Sequence, residues 1–426
     1  MIIRNFRSWI SVLIVAACCA VSSTGAESRA PQGVAPGVEK PMRIAPRPDN
    51  GRNSEGDFIQ LKDGRLLLVY TKFIGTDDHA PAELVSRYSE DGGMTWSEED
   101  VPVLSRKSDE TNLMSVSLLR LQDGRIALFY VQKYASPVGS KYSQMDHILM
   151  RTSADEAATW SEPTYVVPLD QPGYRVLNND RVVQLKSGRL VVPVAVHYLP
   201  GWPGFRNSAQ IMCYLSDDQG QTWRQSTSTL ESKSLVQEPG VVELKNDKLM
   251  MFCRSDKCQR VSHSTDGGET WSALEQSDIA QPSASPASIE RIPSTGDLLL
   301  VWNNGDDPLA AVEPIGRRPF TAAISKDEGA TWQRVQNIGT DPQGWYCYTA
   351  IEFVGDHVVL GHCEYPRLNS LQITRFPISW LYQSGEAAEP VEKELHTTAG
   401  KPTEGPLDVF LGQPFFAMQV ARFNLP

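Results

Sequence analysis

Short apolar runs recur along the chain, each followed by a polar turn and a second apolar run. Six such pairs stand out: FIQLKDGRLLLVY (58–70), LLRLQDGRIALFY (118–130), VVQLKSGRLVVPV (182–194), VVELKNDKLMMFC (241–253), IERIPSTGDLLLVW (289–302) and AIEFVGDHVVLGHC (350–363). Runs of this length, rich in aliphatic and β-branched residues and broken by turn residues, predict β-hairpins. Each turn centres on Gly, Asn or Asp, the residues that tolerate positive φ. The turns lie roughly 50 to 65 residues apart, a spacing that indicates a repeat architecture.

A second pattern fills the gaps between hairpins: SEDGGMTW (89–96), SADEAATW (153–160), SDDQGQTW (216–223), STDGGETW (264–271) and SKDEGATW (325–332). The Asp can hydrogen-bond the backbone of its own turn, the Gly supplies the bend, and the Trp can fold back as an apolar plug. Ala157 replaces the usual Gly in the second copy, which predicts a distorted turn there. No amphipathic helical stretch stands out. Many short strands in a repeat of this length predict an all-β, six-bladed β-propeller over residues 42–384. The last repeat lacks a turn signature, and ITRFPISWL (373–381) is expected to be its outer strand.

Composition adds limits. A net charge of −11 over 426 residues argues against a nucleic-acid partner, which needs a basic face. Residues 1–26 read as an export signal: Arg4 and Arg7, an apolar stretch too short to span a membrane, then the small residues Thr24-Gly25-Ala26. Val15-Ala16-Ala17-Cys18 also has the form of a lipobox, so a lipid anchor at Cys18 is the alternative to ordinary cleavage. Both place the mature protein outside the cytoplasm, periplasmic or secreted. Residues 27–41, rich in Pro and Gly, read as a linker, and 385–426 as a C-terminal extension, mobile in part. Beyond the signal, Cys213, Cys253, Cys258, Cys347 and Cys363 are odd in number and scattered. They fit small buried residues rather than a disulfide framework or a zinc site.

In a propeller the innermost strands start near the axis. Reading back from the six turns gives Asn53-Ser54-Glu55, Asn112 to Ser115, Asn178 to Arg181, Gln237-Glu238, Ser283 to Ser285 and Tyr346 to Thr349. Nearly all are polar, unlike the apolar strands that follow. A polar ring at the mouth of an apolar barrel predicts a ligand site.

The five turn signatures have the form of Asp boxes. With the hairpins, they make the chain resemble the bacterial sialidase (neuraminidase) superfamily from about residue 42 to 384. The resemblance implies exo-hydrolysis of terminal sialic-acid-like, acidic sugars from glycoconjugates by a retaining mechanism. It also implies a tyrosine nucleophile, a glutamate base, an aspartate acid/base and three arginines on the substrate carboxylate. A neutral phenol suits a substrate whose anomeric carbon carries a carboxylate, which would repel a carboxylate nucleophile. No cofactor and no metal are implied.

Residue by residue, the resemblance implies Glu238 as the base and Arg254 as the second arginine, on EPGVVEL and the strand after it. It implies Tyr348 as nucleophile, with Tyr346 the near rival on the same strand face. Glu364, at the end of that hairpin, would buttress an arginine. Arg317, with Arg318 the alternative, would be the third arginine. Asp78, with Asp77 the alternative, would be the acid/base. At the first arginine the chain departs from the family. The usual R-I-P is absent, Ser54 and Glu55 stand at its offset, and Arg52 is the substitute. Glu55, Asn179, Asp180 and Arg181 are further polar groups expected in the pocket. Two other readings follow from the departure: a glycosidase for a different acidic sugar, and a non-catalytic carbohydrate-binding propeller.

Overall fold

The structure is a computed structural model that describes residues 33–108, 110–134, 146–312, 316–364 and 369–383. The expected export signal with Cys18, and the C-terminal extension 385–426, lie outside these residues. The described residues fall in one compact unit that ends at Gly385.

All six expected turns join antiparallel strand pairs: Arg52–Gln60 with Leu66–Phe73, Glu110–Arg120 with Ile126–Tyr134, Val183–Gln184 with Leu190–Tyr198, Gln237–Glu243 with Leu249–Arg254, Ser288–Arg291 with Leu298–Asn303, and Cys347–Val354 with His357–Glu364. The helical segments among the described residues are three short 3-10 turns, Lys245–Asp247, Pro308–Ala311 and Ile378–Tyr382. The fold is all-β and propeller-like.

Six separate blades were expected, and the sheets do not divide that way. Four sheets of four or five strands each hold one hairpin, while a fifth sheet of eight strands holds the first two. The cause is local. Ala82 pairs with Asn112 in a parallel bridge, which joins Ala82–Ser89 to Glu110–Arg120. The Asn112 side chain reinforces it by donating to the carbonyls of Asp78 (2.9 Å) and Ala80 (3.1 Å).

Two terminal expectations also change. The outer strand of the last sheet is Glu39–Ile44, paired antiparallel with Ser370–Pro377. ITRFP therefore sits one place further in, and Ile378–Tyr382 is helical. The linker expected to run to residue 41 thus already contains strand. Its Pro and Gly precede a segment, EKPMRI, whose backbone the free sheet edge can pair. Lys40 to Glu364 at 2.6 Å and Arg375 to Glu39 at 3.0 Å fasten it.

Neighbouring sheets bury their apolar faces against each other. Phe58, Leu66, Leu68 and Tyr70 of the first hairpin pack with Ala350, Val359, Leu371 and Ile373 of the last sheet. Each such fully buried aliphatic side chain contributes about 1.5–3 kcal/mol. This packing of first against last sheet brings inner strands from distant parts of the sequence together.

The turn signatures close the third strand of their units. In the first, Ser89 Oγ donates to Asp91 (2.9 Å) and accepts from Gly93 N (2.8 Å), while Asp91 accepts from the backbone and hydroxyl of Thr95. The Trp96, Trp223 and Trp271 indoles donate to the carbonyls of Gly93, Gly220 and Gly268. The copy with Ala157 is not distorted. Ala157 N still donates to Ser153 Oγ at 2.9 Å and Thr159 N to Asp155 at 2.9 Å. Ala157 takes φ 67°, so the hydrogen bonds hold it in a left-handed conformation that Gly adopts more readily.

Candidate active site

The innermost strands break their own ladders. Pairing shifts register between Ser54 and Asp57, Met114 and Ser117, Gln237 and Pro239, and Cys347 and Ala350. At each break one non-glycine residue has a left-handed backbone: Glu55 (φ 54°), Ser115 (φ 62°), Glu238 (φ 46°) and Tyr348 (φ 53°). A bulge re-aims a side chain out of the strand's alternation. A left-handed L-residue costs roughly 1–2 kcal/mol, and such strain persists where the surroundings over-determine it. These four residues line one cavity of about 80 Å³, together with Asp78, Lys133, Tyr174, Arg175 and Asn178.

Tyr348 Oη donates to Glu238 Oε1 at 3.2 Å. Arg254 Nη1 donates to the same oxygen at 2.6 Å. The Arg317 guanidinium lies 5.5 Å from the centre of the Tyr348 ring and 5.6 Å from that of Trp345. Burial pushes the Tyr348 phenol well above its ordinary range, and the Glu238 carboxylate adds to the shift. The phenol is therefore neutral at rest, with an acceptor for its proton already in place.

Several buried polar atoms here have no protein partner: Glu238 Oε2, Arg254 Nε, Arg317 Nη1, Arg175 Nε and Asn178 Oδ1. Buried polar atoms are nearly always paired. Glu238, Arg175 and Asn178 line the cavity, while Arg254 and Arg317 adjoin it through Glu238 and Tyr348, and unpaired donors and acceptors together fit a polar ligand that carries both.

The first arginine differs. Arg52 is fully buried beside the Phe73 ring, 4.4 Å from its centre. It donates to Asp78 Oδ1 at 2.5 Å, to Ser54 Oγ at 2.8 Å and to Glu55 Oε1. Glu55 also accepts from Ser115 Oγ at 2.8 Å. Burial pushes the Glu55 carboxyl up, against the pull of Arg52. Asp78 moves the other way. Burial raises it, but Arg52 and then Lys133 outweigh that and hold it below the usual carboxylate range. Its side chain lines the cavity and is 55% exposed. Direct exposure governs how far water screens the pair, so the Arg52–Asp78 contact is weaker than its short distance suggests.

The paired candidates lie in different places. Asp77 accepts from His79 N on the loop exterior and does not line the cavity, whereas Asp78 does. Arg318 donates to Val312 O at 2.5 Å, away from the Tyr348 ring. Tyr346 is 1% exposed and stacks on Phe320 at 5.0 Å, in the core.

Four expected residues lie elsewhere. Glu364 pairs with Lys40 rather than an arginine, because the N-terminal strand adds at that edge. Asn179 braces the bulges from behind, donating to Gly56 O (2.9 Å) and Tyr348 O (3.0 Å). Asp180 and Arg181 line a separate cavity of about 400 Å³ with Asp57, Glu290 and Glu352. They miss the Tyr348 cavity because the segment before the third hairpin places Asn178 there instead. Lys133, Tyr174 and Arg175 are cavity residues that hairpin offsets could not find. Lys133 is on a second strand and the other two precede the third hairpin; no motif marks them.

The pattern of the BNR repeat-like domain matches residues 68–372. The chain belongs to that family. Among relatives of this BNR repeat-like chain, the sialidase of Micromonospora viridifaciens is 25% identical over 360 residues, 77% of this chain and 53% of that protein. Human sialidase-3 is 26% identical over 164 residues, covering 36% of this chain and 35% of that protein. The chain thus spans about half, or less, of the length of these relatives. Among solved structures, a Dyadobacter fermentans protein of unknown function superposes with a TM-score of 0.63 at 20% identity, over 80% of this chain and 100% of that one. The leech intramolecular trans-sialidase gives 0.62 at 17%, over 80% of this chain and 70% of that one. At these identities the superpositions speak for the fold alone. No helix of the described BNR repeat-like unit is long and apolar enough to cross a membrane.

Proposed function

We propose that the chain is an exported exo-glycosidase of the sialidase type, which releases terminal sialic-acid-like sugars from glycoconjugates with retention. The observation that carries this reading is the Tyr348 hydroxyl 3.2 Å from Glu238, with Arg254 and Arg317 around the pair. Relatives named sialidases support it. The count of six blades is part of the proposal, with the eight-stranded sheet taken as two blades joined by the Ala82–Asn112 bridge.

Tyr348 Oη attacks the anomeric carbon as its proton passes to Glu238, within general-base reach. The bond to the leaving oxygen breaks, and Asp78 gives that oxygen a proton. Water, deprotonated by the Asp78 carboxylate, then attacks the same carbon from the side the leaving group left. The Tyr348 oxygen departs and recovers its proton from Glu238. Arg254 and Arg317 hold the substrate carboxylate. A substrate that engages Arg52 draws it from Asp78, and the Asp78 carboxyl then rises toward the range of a proton donor. No metal or organic cofactor enters this scheme.

Steady-state kinetics on a synthetic sialoside test the reading. Tyr348→Phe is expected to cut turnover by several orders of magnitude with binding largely intact, and Glu238→Gln to lose activity because an amide accepts no proton. A fully active Tyr348→Phe enzyme sinks the nucleophile assignment. Arg52 favours a second reading, a glycosidase for a different acidic sugar, because Glu55 and Asp78 already neutralise it. A glycan-release screen with several terminal acidic sugars separates the two. Binding without release of any of them would leave a carbohydrate-binding propeller. Export is read from residues 1–26. Mature protein from a native host is expected to lack them, or to begin at a lipidated Cys18.

A further inference from the structure

The strand that carries Tyr348, Cys347–Val354, is the inner edge of its sheet. An edge strand leaves one row of backbone N–H and C=O groups without ladder partners, and buried groups of that kind need others. Around Tyr348 the need is greater, because the ladder shifts register between Cys347 and Ala350. Side chains of other units take three of the backbone groups there. Asn179 Nδ2 donates to Tyr348 O at 3.0 Å, Asp180 Oδ2 accepts from Ile351 N at 3.0 Å, and Ser288 Oγ donates to Thr349 O at 2.5 Å.

Two of those side chains are neighbours in sequence, and the fold frees them for the task. The third hairpin has no continuous inner strand. Tyr174–Val176 and Val183–Gln184 both pair with Leu190–Tyr198, and residues 177–182 between them leave the ladder. Asp180 takes φ 55°, a left-handed conformation that Asp tolerates better than most residues. The freed run Asn179-Asp180-Arg181 then joins inner strands far apart in sequence. Asn179 Nδ2 also donates to Gly56 O (2.9 Å), next to the Glu55 bulge. Asp180 N donates to Val116 O (3.1 Å) and Arg181 N to Ser117 Oγ (3.0 Å). Arg181 Nη2 donates to Ala287 O at 2.6 Å, one residue before the Ser288 that holds Thr349. Asn179 is buried, so water does not compete for its two carbonyls.

We propose that Asn179 and Asp180 are positioning residues for the nucleophile. They hold the Tyr348 backbone in its left-handed bulge and so set the 3.2 Å contact between the phenol and Glu238. The inference rests on the glycosidase reading for the role of Tyr348. Neither residue lines the Tyr348 cavity, so their effect runs through the backbone. One bond fixes the Tyr348 carbonyl and the other fixes the Ile351 N–H, on the far side of the register shift. A left-handed tyrosine is strained, and without these bonds the bulge can relax toward the extended region. A shift of about 1 Å in a reacting group can cost about a hundredfold in rate.

The test uses the full chain. kcat and KM on an aryl sialoside are measured for Asn179→Ala, Asp180→Ala and Asp180→Asn, with thermal melts confirming folding. Asn179→Ala and Asp180→Ala are expected to lower kcat at least about tenfold with KM within about twofold. Asp180→Asn, whose amide oxygen still accepts from Ile351 N, is expected to keep most of the turnover. Asn179→Ala in a Tyr348→Phe background is expected to cost nothing further, since residues that act through one group are not additive. Unchanged kcat, equal losses in both backgrounds, or Asp180→Asn as poor as Asp180→Ala each overturn the proposal. The two Asp180 variants decide alone where Asn179→Ala fails to fold. Crystal structures of wild type and Asn179→Ala give a readout that needs no activity. Tyr348 is expected to leave its left-handed conformation and its bond to Glu238, and a Tyr348 that stays in place overturns the proposal. A Tyr348 displaced in Asn179→Ala, in a protein whose wild type cleaves no acidic glycoside, upholds the positioning and sinks the glycosidase reading instead.

Discussion

At the scale of single residues, the site depends on backbone conformations that most side chains avoid. Glu55, Ser115, Glu238 and Tyr348 are all left-handed, and all four reach one cavity. Glu55 is the residue that most distinguishes this pocket. It pairs with Arg52, the residue expected from the sequence to meet a ligand anion. Glu55→Gln removes one of the two carboxylates on Arg52 and should tighten inhibition by free N-acetylneuraminic acid about tenfold, the worth of one moderately screened charge pair. Weaker inhibition would mean that Glu55 itself contacts the sugar. Arg254→Ala should have the opposite effect on acidic ligands, a loss of about 1.5–3 kcal/mol or more, read from the same inhibition constants.

At the scale of elements, the turns and the buried acids pull stability in opposite directions with pH. Hydrogen bonds from Thr159, then Ser153, hold Asp155 down to about 2. A depressed carboxyl contributes stability above its unfolded value near 4, lost as pH falls toward 2. Asp146 shows the reverse. Burial pushes it up to about 7, although the Arg175 backbone N–H donates to it at 2.8 Å. A raised carboxyl gives its full stability below about pH 4 and loses it as pH rises to about 7. Thermal melts should therefore show a maximum near pH 4–5, and Asp146→Asn should flatten the limb between pH 5 and 7. An unchanged limb would place its cause elsewhere. The turns also predict a steric cost. Gly220 has φ 87°, and a Cβ there would meet the Met150 sulfur. Gly220→Ala should cost at least about 1–2 kcal/mol in urea unfolding.

At the scale of the molecule, Glu39–Ile44 completes the sheet that carries Tyr348. Trp380 adds to the attachment by donating to Pro36 O at 3.0 Å. Removing residues through 44 exposes a sheet edge and part of the core around Ile44, so the melting temperature should drop by several degrees or more. Catalysis should fall with it, because the Tyr348 bulge belongs to that sheet. A truncated chain with unchanged melting and activity would show that the strand is dispensable.

The sequence alone determined the local units. Apolar runs with Gly, Asn or Asp turns are short-range patterns, and all six hairpins follow them. The Ser-x-Asp turns were equally legible, since every bond in them lies within a few residues. Glu238 and Tyr348 stand at the inner offsets of their hairpins, while their roles, and the choice of Asp78, Arg254 and Arg317, came from the resemblance to sialidases. Tertiary structure decided what depends on partners far along the chain. It merged the first two hairpins into one sheet through Ala82 and Asn112 and gave the last sheet an N-terminal outer strand. It turned Glu364 toward Lys40, drew Arg52 between Glu55 and Asp78, and sent Asp180 and Arg181 to another cavity. Lys133, Tyr174 and Arg175 entered the site only through the packing of neighbouring strands. Periodicity fixes which way a side chain points within a strand. Only the closing of the sheets around a common centre fixes what it then meets.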